Sequence, residues 1–101
     1  MTAPDFDETI HNPVRLRACA MLAGLDHAAF PVLLDELGVS DSVLSKHLAT
    51  LEAAGYVVLA KATSDRRLRT AVALTSEGRA AYAAHVAALR SIVGAATLST
   101  G

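Results

Sequence analysis

Apolar residues between Ser40 and Gly55 repeat with the period of a helix. Leu44, Leu48 and Leu51 stand at i, i+4 and i+7, so one side of the predicted helix is apolar. The other side consists of small, hydroxyl-bearing or basic residues without a central acidic side chain: Ser42, Ser45, Lys46, Ala49 and Thr50. Such a face can approach a polyanion closely, and the major groove of DNA, ~12 Å wide, admits one helix. The pattern therefore predicts a helix over 41–54 that is suited to the major groove.

The preceding residues predict a second helix and a tight turn. A short helix over 31–37 ends at Gly38, which supplies the left-handed residue that lets the chain turn sharply. Ser40 or Asp41 can then cap the next helix. Two helices joined by a turn of about 3–4 residues with a glycine form a helix-turn-helix.

The residues that follow predict a β-hairpin. The segment 56–61 is rich in aromatic and β-branched residues, 63–66 has the composition of a turn, and 69–74 alternates as a returning strand. A helix-turn-helix followed by a hairpin is a winged helix. We therefore expect an α+β fold, mainly α, with a two-stranded wing.

Two further helices are predicted at the ends of this unit. Asn12 caps a first helix, with Pro13 in its first turn, and this helix runs to about residue 23. A linker over 25–29 follows it, and a last helix over 76–93 begins after Thr75. We expect one domain over 11–93 between a flexible N-terminus, 1–10, and a flexible tail, 94–101.

Four segments in this order resemble winged-helix transcriptional regulators of the MarR and ArsR type. They are "HNPVRLRACAMLAGL", "LSKHLATLEAAGYV", "DRRLRT" and "LTSEGRAAYAAHVAAL". The resemblance spans roughly residues 11–93. It implies a sequence-specific regulator that binds double-stranded DNA, and we expect a repressor.

The resemblance also implies that the first and last helices form a two-fold dimer contact. The apolar content of 52% is high for a chain of 101 residues, which has little interior in which to bury it. A second copy of the chain would cover part of it and place two recognition helices ~34 Å apart, one turn of DNA. The candidate dimer residues are Val14, Ala18, Met21, Tyr82, Val86, Leu89 and Val93.

The helix over 41–54 carries the candidates for DNA contact. Ser42, Val43 and Lys46 are the candidates for base contact, because N-terminal residues of a recognition helix reach base edges. Ser45 and Thr50 are candidates for phosphate. His47 lies at the edge of the apolar face, where two roles stay open. One is a packed or hydrogen-bonded side chain, and the other is a phosphate contact.

The hairpin and the first helix add further basic residues. Arg66, Arg67 and Arg69 lie at the wing, with Lys61 on the facing strand, and are expected on the DNA backbone or in the minor groove. Arg69 has an internal salt bridge as its alternative. The first helix carries Arg15 and Arg17, which we expect near the dimer seam or the DNA backbone.

Charge is divided unequally along the chain. The net charge is −1, yet residues 1–45 hold two basic and seven acidic side chains, and residues 46–101 hold seven basic and three acidic ones. Such asymmetry points to nucleic acid or another charged partner. The low net charge keeps one alternative open, a winged-helix protein–protein module without DNA binding.

Several functional classes lack their sequence signals. There is no phosphate loop, nucleophile elbow or carboxylate pair, so we expect no enzyme. Cys19 is the single cysteine, and His11, His27 and His85 show no metal-ligand spacing, so we expect neither a metal nor another cofactor. No effector is indicated. Without a membrane span or a signal-peptide pattern, we expect a cytoplasmic protein.

Overall fold

The computed structural model describes residues 5–64 and 66–100 and, within them, four helices and a three-stranded antiparallel sheet. The predicted winged-helix class is confirmed. In chain order the elements are α1 (Pro13–Ala23), β1 (Ala28–Ala29), α2 (Phe30–Leu37), α3 (Asp41–Ala53), β2 (Val57–Ser64), β3 (Arg67–Leu74) and α4 (Ser76–Thr100).

Side-chain caps set the beginnings of α1 and α3. Asn12 Oδ1 accepts from the backbone N–H of Val14 at 3.0 Å. At α3 the cap is Ser40, whose Oγ accepts from Val43 N at 3.2 Å, so Asp41 is the first residue of the helix. Gly38 has φ +66, the left-handed conformation predicted for the turn between α2 and α3.

The sheet is larger than the sequence predicted. Its strand order is β1-β3-β2, and the hairpin pairs residues from Val57 with Leu74 out to Ser64 with Arg67. The interpretation of 25–29 as a linker was wrong in part, because Ala28 pairs with Val72 and forms a short edge strand. Alanine has little strand propensity, so only the free edge of β3 makes this segment extended.

The core lies where α1, α2 and α3 meet the inner face of the sheet. Leu44, Leu48 and Leu51 of α3 are fully buried, together with Leu33 of α2 and Val72 of β3. The predicted apolar face of the recognition helix α3 thus packs against the rest of the domain, which is called the body below and consists of α1, α2 and the sheet.

The start of α4 is tied closely to the junction between α3 and β2. Thr75 Oγ1 donates to Gly55 O at 2.6 Å and accepts from Gly78 N at 2.9 Å. A Cβ built on Gly78 would lie 2.0 Å from Tyr56 O, so only glycine allows this approach of helix to strand. This contact sets the direction in which α4 leaves the body.

Both ends of the unit differ from the prediction. The helix α4 continues to Thr100 instead of ending near 93, because Ala95 and Ala96 directly after Gly94 favour a helix and a single glycine costs only about 1 kcal/mol. At the N-terminus, residues 5–10 are packed rather than frayed, since Ile10 is fully buried. Residues 1–4 and 101 lie outside the described residues.

Asp7 holds the N-terminal segment against the body. Its Oδ2 accepts from Tyr56 Oη at 2.5 Å, and its Oδ1 accepts from Ile10 N at 3.1 Å. The hydrogen bond to Asp7, followed by burial, raises the pKa of Tyr56 to about 12. This segment crosses from α4 to α1, so it connects the two predicted dimerisation helices.

Candidate nucleic-acid interface

The exposed face of α3 carries the residues predicted to touch DNA. Ser42, Ser45, Lys46 and Thr50 are exposed, and Val43 is 39% exposed. The three buried leucines hold the opposite face, so α3 presents these side chains on a rigid element. Within the described part of the chain, the ammonium group of Lys46 has no hydrogen-bond or ion-pair partner, which leaves it available.

The hydroxyl groups of this face are partly engaged within the helix. Ser45 Oγ donates to Asp41 Oδ1 at 3.4 Å, and Thr50 Oγ1 donates to Lys46 O at 3.2 Å. A phosphate oxygen can only accept, so each hydroxyl must turn its hydrogen outward to bind one. These two bonds are long and weak, which makes that rotation inexpensive.

His47 is half-buried and hydrogen-bonded, as one of its two predicted roles requires. Arg15 Nη1 on α1 donates to His47 Nδ1 at 2.9 Å. Burial, followed by the positive charges of Arg15 and Lys46, lowers the pKa of His47. The imidazole is therefore neutral at physiological pH. Its phosphate contact, the other predicted role, stays a prediction.

Three arginines of α1 and α4 are used inside the protomer. Arg17 donates to Glu36 O at 3.1 Å, at the C-terminal end of α2. Arg79 donates to Ala23 O at 3.1 Å, at the end of α1. Arg15 is likewise bound to His47, and the placing of Arg15 and Arg17 near the dimer seam or DNA backbone stays a prediction. No sequence pattern predicts the Arg15–His47 contact, which depends on how α1 crosses α3.

The wing presents its basic residues on two faces. Paired residues of the hairpin share a face, so Lys61 with Thr70 extends the core-side face of Leu59 with Val72. Lys61 Nζ donates to Thr70 Oγ1 at 2.8 Å. The side chains of Arg67 and Arg69 belong to the other face, because they pair with Ser64 and Ala62.

The tip of the wing turns at Arg66, which has φ +63. Arg66 and Arg67 are exposed, and Arg69 is half-exposed without a carboxylate partner in the described part of the chain, so its alternative role in a salt bridge is not observed. Leu68, absent from the predicted set, is 68% exposed on the core-side face of the hairpin. The basic wing therefore also carries an apolar contact point.

The candidate dimer residues divide between interior and surface. Ala18 is 1% exposed inside one protomer, so it offers almost no surface to a second copy, and its role as a dimer contact stays a prediction. Six other candidates keep exposed surface: Val14, Met21, Tyr82, Val86, Leu89 and Val93. A groove of about 420 Å³ between α1 and α4 is lined by Ala23, Tyr82, Val86 and Arg90, among others.

Two histidines that are far apart in the sequence meet in the structure. His11 Nδ1 lies 3.1 Å from Nε2 of the fully buried His85. No group of three or more metal-binding side chains occurs among the described residues. Burial raises the pKa of the Cys19 thiol to about 11, which keeps it protonated in the core.

The arrangement of α2, α3 and the wing matches a known protein family. A model of the winged helix DNA-binding domain matches residues 14–93. The chain belongs to this winged helix DNA-binding domain family. Within the described part of this winged helix domain, no helix is long and apolar enough to cross a bilayer.

The winged helix domain is similar to proteins of known and unknown role. It is 35% identical over 69 residues to an uncharacterised protein of Methanocaldococcus jannaschii. The aligned segment covers 68% of this chain and 75% of that protein. A transcriptional regulator homologue of Pyrococcus horikoshii has a similar structure, with TM-score 0.83 and 27% identity over 88% of each chain.

A regulator of the MarR family from Silicibacter pomeroyi is also similar, with TM-score 0.60 and 28% identity over 88% of this chain and 66% of that one. The winged helix domain is thus MarR-like, and its family and fold are those of DNA-binding transcriptional regulators rather than enzymes.

Proposed function

We propose that this winged helix domain is a sequence-specific, homodimeric transcriptional repressor that inserts α3 into the major groove. The observation that carries the proposal is the exposed face of α3, where Lys46 stands among small and hydroxyl-bearing residues. Leu44, Leu48 and Leu51 fix the other face, so the DNA-facing side chains are positioned before binding.

The start of α3 supplies the base contacts in this proposal. Lys46 donates to guanine O6 and N7, Val43 contacts a thymine methyl group, and Ser42 bonds to either base type. Ser45, Thr50 and His47 contact phosphate and hold the helix in register. Asp41, which accepts from Ser45, limits how closely the first turn approaches the backbone.

The wing supplies most of the positive charge in this proposal. Lys61, Arg66, Arg67 and Arg69 bind the flanking backbone or the minor groove, and arginine is favoured where that groove is narrow. Because α3 offers only one cation, affinity depends on the wing and on having two copies of each element.

In this proposal, the exposed apolar surface of α4 packs against a second copy of the chain. The apolar Ile92 is 40% exposed on a helix that extends about 37 Å, in a molecule 57 Å long and 25 Å wide. Two-fold dimers are the commonest oligomers, and one would present two recognition helices to successive major grooves. Bound at a promoter, such a dimer excludes the polymerase. With chromosomal DNA as its partner, we assign it to the cytoplasm.

Selection of bound sequences from a random DNA pool tests this proposal. A repressor dimer should recover a palindrome with half-sites one helical turn apart. A reporter carrying that palindrome should lose expression when the protein is present. Recovery of no common sequence by a verified dimer at low salt would contradict the proposal and favour the protein–protein module. A gain in reporter expression would reverse the sign of regulation.

A further inference from the structure

The guanidinium of Arg15 is held in place between two acceptors. Its Nε donates to Thr9 O at 2.5 Å, and its Nη1 donates to His47 Nδ1 at 2.9 Å. Thr9 belongs to the N-terminal segment that Asp7 attaches to the body. Arg15 is therefore a half-buried link from this segment, through α1, to the recognition helix.

This contact determines which nitrogen of His47 carries the proton. A guanidinium has only donors, so His47 Nδ1 must be the acceptor and cannot bear a hydrogen. In the neutral imidazole the remaining hydrogen is then on Nε2. One contact from α1 thus selects one of the two neutral tautomers.

The Nε2 atom of His47 is not fully buried and borders the DNA-facing surface. Every buried side-chain nitrogen or oxygen in the described part of the chain has a hydrogen-bond partner. Nε2 has none there, so it is not buried. His47 stands four residues after Val43 and three before Thr50, which makes both of them its neighbours on the exposed face.

We propose that Arg15 is a positioning residue for DNA binding, which holds His47 as the neutral tautomer whose Nε2–H donates to a DNA phosphate. This inference rests on the proposed function, since it assigns a role within the same interface. Arg15 itself does not touch DNA. It acts by fixing the donor that does.

The arrangement also separates DNA binding from proton uptake. A histidine whose tautomer is not fixed favours its charged form beside a phosphate. DNA binding would then be coupled to proton uptake, and the affinity would increase as the pH falls. Arg15 occupies Nδ1, where that proton would go. Among the cations on the elements packed against α3, which are Arg15 and Arg17 on α1 and Lys61 on β2, only Arg15 shifts the pKa of His47. Lys46 on α3 adds to that shift.

The test is the pH profile of DNA affinity between pH 6 and 8, measured by anisotropy on the selected palindrome. The DNA affinity of the wild-type protein should be nearly independent of pH over this range. Arg15→Met should bind about three- to tenfold more weakly at pH 8 for each copy of α3 on the DNA, or about ten- to 100-fold for the dimer, because one hydrogen bond per copy is misplaced. As the pH falls, Arg15→Met should regain affinity by up to about tenfold per pH unit for each copy, or up to about 100-fold for the dimer.

Two further variants separate positioning from a structural effect. Arg15→Lys keeps a donor facing Nδ1 and should restore the flat profile. Adding His47→Gln to Arg15→Met should abolish the pH slope, because the titrating group is gone. A flat profile for Arg15→Met, or a slope that survives in the double variant, would overturn the proposal. Thermal unfolding of each variant shows whether it is folded.

A second measurement does not depend on DNA. Ring-nitrogen NMR shifts of His47 in the free, unchanged protein should show a protonated Nε2 and a bare Nδ1 at pH 7.5. A protonated Nδ1 would overturn the role of Arg15 even if the protein binds DNA. Absence of DNA binding by a protein with the expected tautomer would instead overturn the proposed function, and the DNA role of Arg15 with it.

Discussion

The buried imidazole of His85 on α4 is hydrogen-bonded to His11, which precedes α1. Asp7 N donates to His85 Nδ1 at 3.0 Å, so that nitrogen bears no hydrogen. His85 Nε2 therefore carries the proton and donates to His11 Nδ1 at 3.1 Å. The ring of Phe6 packs on both imidazoles, with centroids 4.6 and 4.8 Å away. This arrangement holds only while His85 is neutral.

The first prediction is that the protein loses stability as the pH falls from 7.5 to 5.5. Burial, followed by the charge of His11, lowers the pKa of His85, while Asp7 and Glu8 oppose that shift. His85 takes up a proton near pH 6.5 in the unfolded chain and only at lower pH in the folded chain, so acid favours unfolding. The contribution of neutral His85 to the free energy of unfolding is fully present above about pH 7.5. Below that pH the free energy of unfolding falls by at most about 1.4 kcal/mol per pH unit. Urea unfolding at several pH values measures it.

A variant without a titrating side chain isolates the contribution of His85. His85→Gln keeps a polar side chain at this position and cannot gain a charge. Its stability should fall less between pH 7.5 and 5.5 than that of the unchanged protein. Equal losses in the two proteins would assign the acid sensitivity to other groups.

The second prediction contrasts two glycines of α4. Gly78→Ala should destabilise by at least about 2 kcal/mol, because its methyl group meets the backbone of Tyr56 at 2.0 Å and the helix must move. Gly94→Ala is the matched control. A Cβ at Gly94 meets nothing within 4 Å, so the change should stabilise by about 0.5–1 kcal/mol through helix propensity. Thermal unfolding compares them, and similar effects of the two changes would argue against the close packing of Tyr56 on α4.

These residues show what sequence could and could not predict. The apolar face of α3 follows from local spacing, so the sequence alone predicts the side of Leu44 and Leu48, and it narrows the cap to Ser40 or Asp41. The edge strand at Ala28 was not, because its only cause is a free edge supplied by residues more than 40 positions away. Contacts of His47 and His85 were missed for the same reason, since their partners come from other elements.

The third prediction concerns the dimer. Ile92→Glu should convert the dimer to a monomer, because it places a charge among the apolar side chains proposed to meet a second copy. Val58→Glu is the control, since Val58 is 51% exposed and its pairing with Ala73 puts it on the face of the hairpin opposite the core. Light scattering after gel filtration measures the mass. A monomeric unchanged protein, or a dimer that tolerates Ile92→Glu, would argue against an α4 interface.

The fourth prediction distinguishes residues that recognise DNA bases from residues that bind the DNA phosphate backbone. Lys46→Ala should cost about 1–3 kcal/mol per half-site on the selected palindrome and little on unrelated DNA, because one base contact is lost in each half-site. Arg66→Ala should weaken binding to both DNAs alike and lower the slope of log affinity against log salt by about one per protomer, or about two for the dimer. Arg90→Ala removes an exposed cation of α4 and should leave the salt slope unchanged in a verified dimer. If Lys46→Ala instead weakened both DNAs equally, Lys46 would be a phosphate ligand, and site choice would have to come from Val43, Ser42 or the wing.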